Sequence, residues 1–199
     1  VEALEFSLSV ASLGGSLPLV RRLAHDRRQG EIASTRELAR FTATRWRTVL
    51  DDREVGVPDF VVGDSENERK ELYAEALSRT FEANFPTEAF TFRLAERGRL
   101  TLAAQYVESH PSFDYRVVRP AAYLLEHPPV AGIDAAVLRR ELEIGQRLFQ
   151  IAPRIGKTEV VDTLLDLEIH SAHQLATLDL EEATFRYGER LGEEGVEQV

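Results

Sequence analysis

Gly156-Lys157-Thr158 is the one place in this sequence where a phosphate-binding loop could begin. Such a loop has the form G-x-x-x-x-G-K-T and follows a strand, because the backbone N–H groups of a glycine-rich turn wrap the phosphates. The first glycine would fall at position 151, which is Ile151, and the preceding residues have a helical pattern. Lys157 is therefore read as the start of another helix. His170 and His173 are three apart, beside Asp166 and Glu168. Two imidazoles at that spacing can share a helix face, but zinc wants a third ligand and a fourth position. Ser171 can open a helix between them, so the rings need not align. His25-Asp26 and His110 stand without a nucleophile nearby, and no G-x-S-x-G elbow occurs. Spacing alone picks no acid–base pair out of 34 carboxylates. The expectation is no catalytic residue, no metal ligand and no cofactor.

The composition narrows the classes further. There is no Cys, which excludes disulfides, thiolate chemistry and Cys-based zinc sites. Apolar residues make up 43%, enough for a packed core. No apolar run approaches the roughly 18–20 residues of a membrane span, and no signal-peptide pattern opens the chain. There is no Met, and Val-Glu-Ala starts in mid-pattern, so a piece of a longer protein is expected. The net charge is −10 but uneven. Residues 1–50 hold eight Arg against five acids, a net of +3, which leaves −13 for the rest. An acidic chain repels phosphate backbones. The dispersed arginines (21, 22, 27, 28, 36, 40, 45 and 47) read as a solvated helix face or as contacts to an acidic neighbour.

The elements that carry these residues are helices. Residues 2–12 are ambiguous: Leu4, Phe6, Leu8 and Val10 alternate like a strand, while Leu4, Leu8 and Ala11 fit one helix face. Gly14-Gly15 break the element. Leu17–Ala24 reads as a helix with Pro18 in its first turn, followed by a charged loop at 26–31. Ser34 or Thr35 can cap a short helix through Phe41, and Thr42 another that carries Trp46 and Leu50. Ser65 opens the clearest helix, 66–85, in capping-box spacing with Glu68; its apolar stripe is Leu72, Tyr73, Leu77, Thr80 and Phe81. Further helices are expected from Thr87, near 100–109, at 119–126 and from Asp134 through Ile151, the last with Leu138, Leu142, Ile144, Leu148 and Phe149 inward. Lys157–Leu167, Ser171–Thr177 and Asp179–Gly192 follow. Val57–Val62 has β-branched character but is short and contains Pro58. The fold class is all-α, a multi-helix array of short helical hairpins with irregular orthogonal packing. The loop around His127-Pro128-Pro129 divides it into subdomains 1–129 and 130–199.

An internal echo supports stacked helices. Leu19-Val-Arg-Arg-Leu23, then Ser34 to Phe41, then Trp46 parallels Gly145-Gln-Arg-Leu148-Phe149, then Ser171 to Leu178, then Phe185. Repeated short helices bury each other's faces, and Trp46 and Phe185 are read as wedges between them. Trp46, Tyr73, Phe81, Phe149 and Phe185 are the packing residues on which the array should depend.

The same segments, in order, carry a family resemblance: LEFSLSVASLGGSLPLVRRL at 4–23, ELARFTATRWRTVL at 37–50 and GVPDFVVGDSENERKELYAEALSRTFEANFPTEAF at 56–90, followed by VESHPSFDYRVVRPAAYLLEHP at 107–128, QRLFQIAPR at 146–154 and HSAHQLATLDLEEATFRYG at 170–188. Together they resemble the helical region of the A component of bacterial Tc (insecticidal) toxin complexes, the virulence plasmid A proteins. The resemblance implies a secreted virulence protein: a large subunit, pentameric around a translocation channel, with a helical shell to which this chain would belong. It implies a non-catalytic structural module whose partners are other domains of the same chain and neighbouring subunits, with no nucleic acid and no membrane insertion by this part. Two alternatives stand beside it. One is a nucleic-acid-binding module, since Ile155–Gly192 has some likeness to a helix-hairpin-helix whose helix start could hold a phosphate. The other is a generic helical adaptor.

Overall fold

The computed structural model describes residues 2–153 and 157–177. These fold as all-α: helices α1 (Glu2–Ser12), α2 (Leu17–Arg28), α3 (Ala43–Leu50), α4 (Glu66–Asn84), α5 (Pro86–Glu96), α6 (Thr101–Ser109), α7 (Pro120–Glu126), α8 (Ala135–Ile151), α9 (Lys157–Asp166) and α10 (Ala172–Ala176), with a 3-10 helix at Thr35–Arg40. No strand occurs among the described residues. Phe185 and the helix expected at 179–192 lie outside them.

Local chemistry sets most of the boundaries. Ser16, Thr42, Ser65 and Asp134 each accept a backbone N–H from the first turn of the helix they precede, satisfying donors that have no partner within the helix. The Ser65/Glu68 pair closes differently from a reciprocal box. Ser65 Oγ accepts from the Glu68 N–H at 3.1 Å, but the Glu68 carboxylate reaches one residue further back, to the Asp64 N–H at 2.6 Å. Ser34 makes no side-chain cap; Glu37 accepts from the Ala33 N–H instead. Ser171 Oγ accepts from the Gln174 N–H and Gln174 Oε1 from the His170 N–H, so α10 opens with the same closure one residue further back as α4.

The chain divides within α5 into two compact units, residues 1–89 and 90–199. The expected boundary at 129/130 is therefore corrected. The 127–133 loop lies inside the second unit, because α6 and α7 before it both pack on α8 after it.

In the first unit α3 lies along α4 and α1 along α2. The core stripe of α4 is Tyr73, Leu77 and Phe81, one residue per turn, all 4% exposed or less. Leu72, expected in that stripe, is 47% exposed, since its position falls just off the 73-77-81 line. Trp46 is fully buried, with its ring 5.0 Å from Phe41 and 5.1 Å from Phe81. Residues 2–12 are a helix, but the face proposed for it is inverted: Phe6 and Val10 are buried, while Leu4, Leu8 and Ala11 are exposed. α2 runs through Arg28, past the residue where a charged loop was expected. Arg22 and the buried Asp26, one turn apart, bond at 2.8 Å on its surface. The 51–64 loop is held by Arg69, which donates to the carbonyls of Val61 (2.7 Å) and Pro58 (2.8 Å).

In the second unit α8 is the central element, touched by α6, α7, α9 and α10. Leu138, Leu142, Leu148 and Phe149 are buried as expected; Ile144 is half-buried. Phe149 meets Phe90 edge-on at 5.2 Å and Tyr115 at 5.7 Å. α8 also does polar work. Glu141 accepts from the Ala103 N–H at 2.9 Å, supplying the cap that Leu100 (φ 50°) does not give α6. Gln146 donates to the carbonyls of Tyr115 and Val118 and fixes the loop between them. Arg97 reaches Asp162 (3.0 Å) and Glu159 (3.2 Å) on α9.

Two buried tyrosines make this unit sensitive to alkali. Burial, with the neighbouring Tyr123 adding to it, pushes Tyr106 up to about 12. Burial raises Tyr115 as well, against a hydrogen bond with Thr91 that lowers it. The unfolded chain releases these protons near pH 10, before the folded state does. Stability should be full below about pH 10 and fall from there toward about pH 12, by up to about 1.4 kcal/mol per pH unit for each such tyrosine. Urea titrations on either side of pH 10 test this; an unchanged midpoint would refute it.

Candidate functional site

An open surface lies on α2, and its construction begins at the corner before it. Gly14 has φ +92°, a conformation that L side chains rarely adopt. A Cβ on Gly15 would sit 2.8 Å from the Val10 carbonyl oxygen. The corner is locked by Tyr73, whose hydroxyl accepts from the Ser16 N–H at 2.9 Å and donates to the Gly14 carbonyl at 2.8 Å. Tyr73, expected as a packing residue, thus also fixes the angle at which α2 leaves α1.

Two concavities flank α2. The first, about 650 Å³, runs between α1 and α2 and is lined by Ala3, Phe6, Ser7, Leu17, Val20, Arg21, Ala24, Arg27 and Arg28. Phe6 and Val20 form its floor, 4% and 8% exposed, and Leu17 stands 62% exposed at its edge. Among the described residues no carboxylate lines it. Arg27 covers the Phe6 ring at 5.0 Å, while Arg21 and Arg28 are exposed. The second, about 730 Å³, shares Arg21 and Arg28 but is polar and mixed in sign, with Arg22, His25, Asp26, Glu31, Asp52 and Glu54. There Asp26 is held by Arg22 at 2.8 and 3.1 Å, and Arg22 also meets Asp52. These contacts, the Asp26 hydrogen bond first, hold the guanidinium even more firmly protonated than usual. The carboxylate next in sequence to His25 is thus engaged by Arg22.

The other N-terminal arginines are mostly used inside the unit. Arg36 pairs with the buried Glu88, Arg47 with Glu71 at 3.0 Å, and Arg40 lies 3.9 Å from Glu37. Arg45 stacks over Phe41 at 4.1 Å. The local basic excess thus splits into internal ties and one open rim, a division the sequence left undecided.

Lys157 is also committed. Its ammonium donates to the carbonyls of Phe149 (2.6 Å) and Ala152 (3.0 Å) and lies 4.4 Å over the Phe149 ring. It closes the C-terminal end of α8, where cations and orphan carbonyls suit each other. Of the packing residues, Trp46, Tyr73, Phe81 and Phe149 are all buried. The echo is not geometrically regular: one copy uses a 3-10 helix directly after α2, the other inserts α9 between α8 and α10.

A second constellation went unread. Tyr106-x-x-x-His110-Pro111 and Tyr123-x-x-x-His127-Pro128 are copies of one helix ending. Each imidazole stacks on the tyrosine one turn earlier, at 3.9 and 4.2 Å, and sets Nδ1 2.9 or 3.3 Å from that tyrosine's carbonyl. Tyr106 donates to the His127 carbonyl at 2.6 Å, joining the two ends. The histidine rings are 6.3 Å apart, with no third metal-ligating residue grouped with them among the described residues. The arrangement is a latch between α6 and α7, and the repeated Tyr-x-x-x-His-Pro spacing was its signal.

Among the described residues no helix is long and apolar enough to cross a membrane. No family model matches the chain, and neither a curated protein nor a solved structure matches it.

Proposed function

We propose that this chain is a non-catalytic interaction module from the helical shell of a subunit similar to the A component of Tc toxin complexes. The observation that carries the interaction role is the α1–α2 groove: a largely apolar lining with Leu17 exposed at its edge, rimmed by arginines in a chain of net charge −10. An open apolar face with a charged rim is the usual form of a surface made for a neighbour. The order of segments that resemble the Tc family supplies the assembly. On this reading the parent is secreted and oligomeric, and the partners are adjoining domains and subunits. Negative-stain electron microscopy of the parent protein tests the proposal. A five-fold, bell-shaped particle is expected; a monomeric rod would remove the toxin assembly and leave a helical adaptor.

A further inference from the structure

We propose that the α1–α2 groove seats an acidic amphipathic helix of a partner chain. This rests on the interaction-module reading and names what the module takes. The shape selects a helix. Two packed helices leave between them a groove into which a third can lay its side-chain ridge. α1 has 11 residues, so at 1.5 Å per residue it offers roughly 16 Å, about three turns of a guest. An extended peptide added as a strand needs a free sheet edge, and the described residues contain no strand. A polyproline segment needs an aromatic-lined groove, and the one aromatic here, Phe6, is covered by Arg27.

The charge selects acids. The lining holds Arg21, Arg27 and Arg28 and, among the described residues, no carboxylate. Arg21 and Arg28 are seven residues apart on α2, about 10 Å along its axis, and a guest with carboxylates seven residues apart matches that spacing. Its apolar stripe would lie on Leu17, Val20 and Ala24. Guanidinium forks then bind the flanking carboxylates with defined geometry.

The probe is a fluorescently labelled, helix-forming peptide of about 18 residues, long enough to hold a helix when bound. It carries leucines at i, i+3, i+4 and i+7 with flanking glutamates. Anisotropy titrations compare it with its Glu-to-Gln analogue and with a scrambled peptide of equal composition. Binding is expected to weaken with salt, and roughly tenfold or more with either control or with the R21E/R28E double variant. Both arginines are exposed, and R53E/R140E, two other exposed arginines, serves as the charge-matched control. Leu17→Ser should weaken binding with no change in salt dependence. Equal binding of the Gln analogue, or equal losses in the two double variants, would overturn the proposal. So would R21E/R28E-dependent binding to phosphatidylserine vesicles without binding to the peptide. Peptide binding with a monomeric parent would keep the groove and remove the assembly; a five-fold parent with an unoccupied groove would do the reverse.

Discussion

Trp46→Ala is expected to cost the first unit about 3–5 kcal/mol, the range for deleting a large buried aromatic. Trp46 is fully buried between Phe41 and Phe81, with ring centroids 5.0 and 5.1 Å away. α3 and α4, which carry Trp46 and Phe81, lie along each other, so the lost volume is shared between two helices that cannot close on it independently. The indole N–H has no hydrogen-bond partner among the described residues. A buried donor without a partner costs about 1–3 kcal/mol, so Trp46→Phe should lose clearly less than Trp46→Ala, keeping a ring and removing the donor. Phe81→Ala should fall in the same range as Trp46→Ala, and it preserves the single tryptophan of the chain as a fluorescent reporter for its own unit. Denaturant titrations followed by circular dichroism for the Trp46 variants, and by fluorescence for Phe81→Ala, measure all three. Midpoints within error of the parent chain would remove Trp46 as the centre of this core.

Gly145→Ala should destabilise the second unit by about 1–3 kcal/mol, the usual cost of overpacking, although alanine is the better helix former by about 1 kcal/mol. Gly145 lies within α8, and a Cβ there would fall 2.6 Å from Tyr115 Oη, 3.1 Å from its Cζ and 3.3 Å from Leu100 Cδ1. Tyr115 is fully buried against Phe90, Phe113 and Phe149, so its ring has no free direction in which to retreat. The clash is with one atom above all, and this makes the prediction sharper than a single substitution. Tyr115→Phe removes the hydroxyl and keeps the ring. In that background Gly145→Ala should cost at least about 1 kcal/mol less, a coupling of the size found between contacting residues. A double-mutant cycle by urea denaturation reads it directly. Strict additivity would mean that the helix shifts as a body and that Tyr115 does not set the position.

Which properties of the chain were legible follows from the range of the physics behind them. The caps at Thr42, Ser65 and Asp134 involve a side chain and a backbone N–H two or three residues away, so a local reading finds them. The all-α class, the end of one helix and start of the next at Pro86, and the burial of Trp46, Tyr73, Phe81 and Phe149 were legible for the same reason: helical period and breaker residues act within a few turns. In the sequence Gly145 stood only as the first residue of the second echo copy, whereas its use is to admit the ring of Tyr115, 30 positions earlier in the chain.

The sequence by itself determined helices, caps and the lack of any thiol. It also held the Tyr-x-x-x-His-Pro repeat, which is local in form but whose meaning, a latch joining α6 to α7, needs the bond from Tyr106 to the His127 carbonyl. Tertiary structure decided which face of α1 is buried, because Leu4-Leu8 and Phe6-Val10 offer the same spacing and only the neighbouring helices distinguish them. It placed the division of the chain within α5, because burial against α8 binds the segments on both sides of the 127–133 loop. It also sorted the arginines. Charge is counted along a sequence, but pairing is decided by distance in space: Arg22 and Arg36 are consumed by carboxylates 30 and 52 residues away, while Arg21 and Arg28 are left at the rim of an open apolar groove.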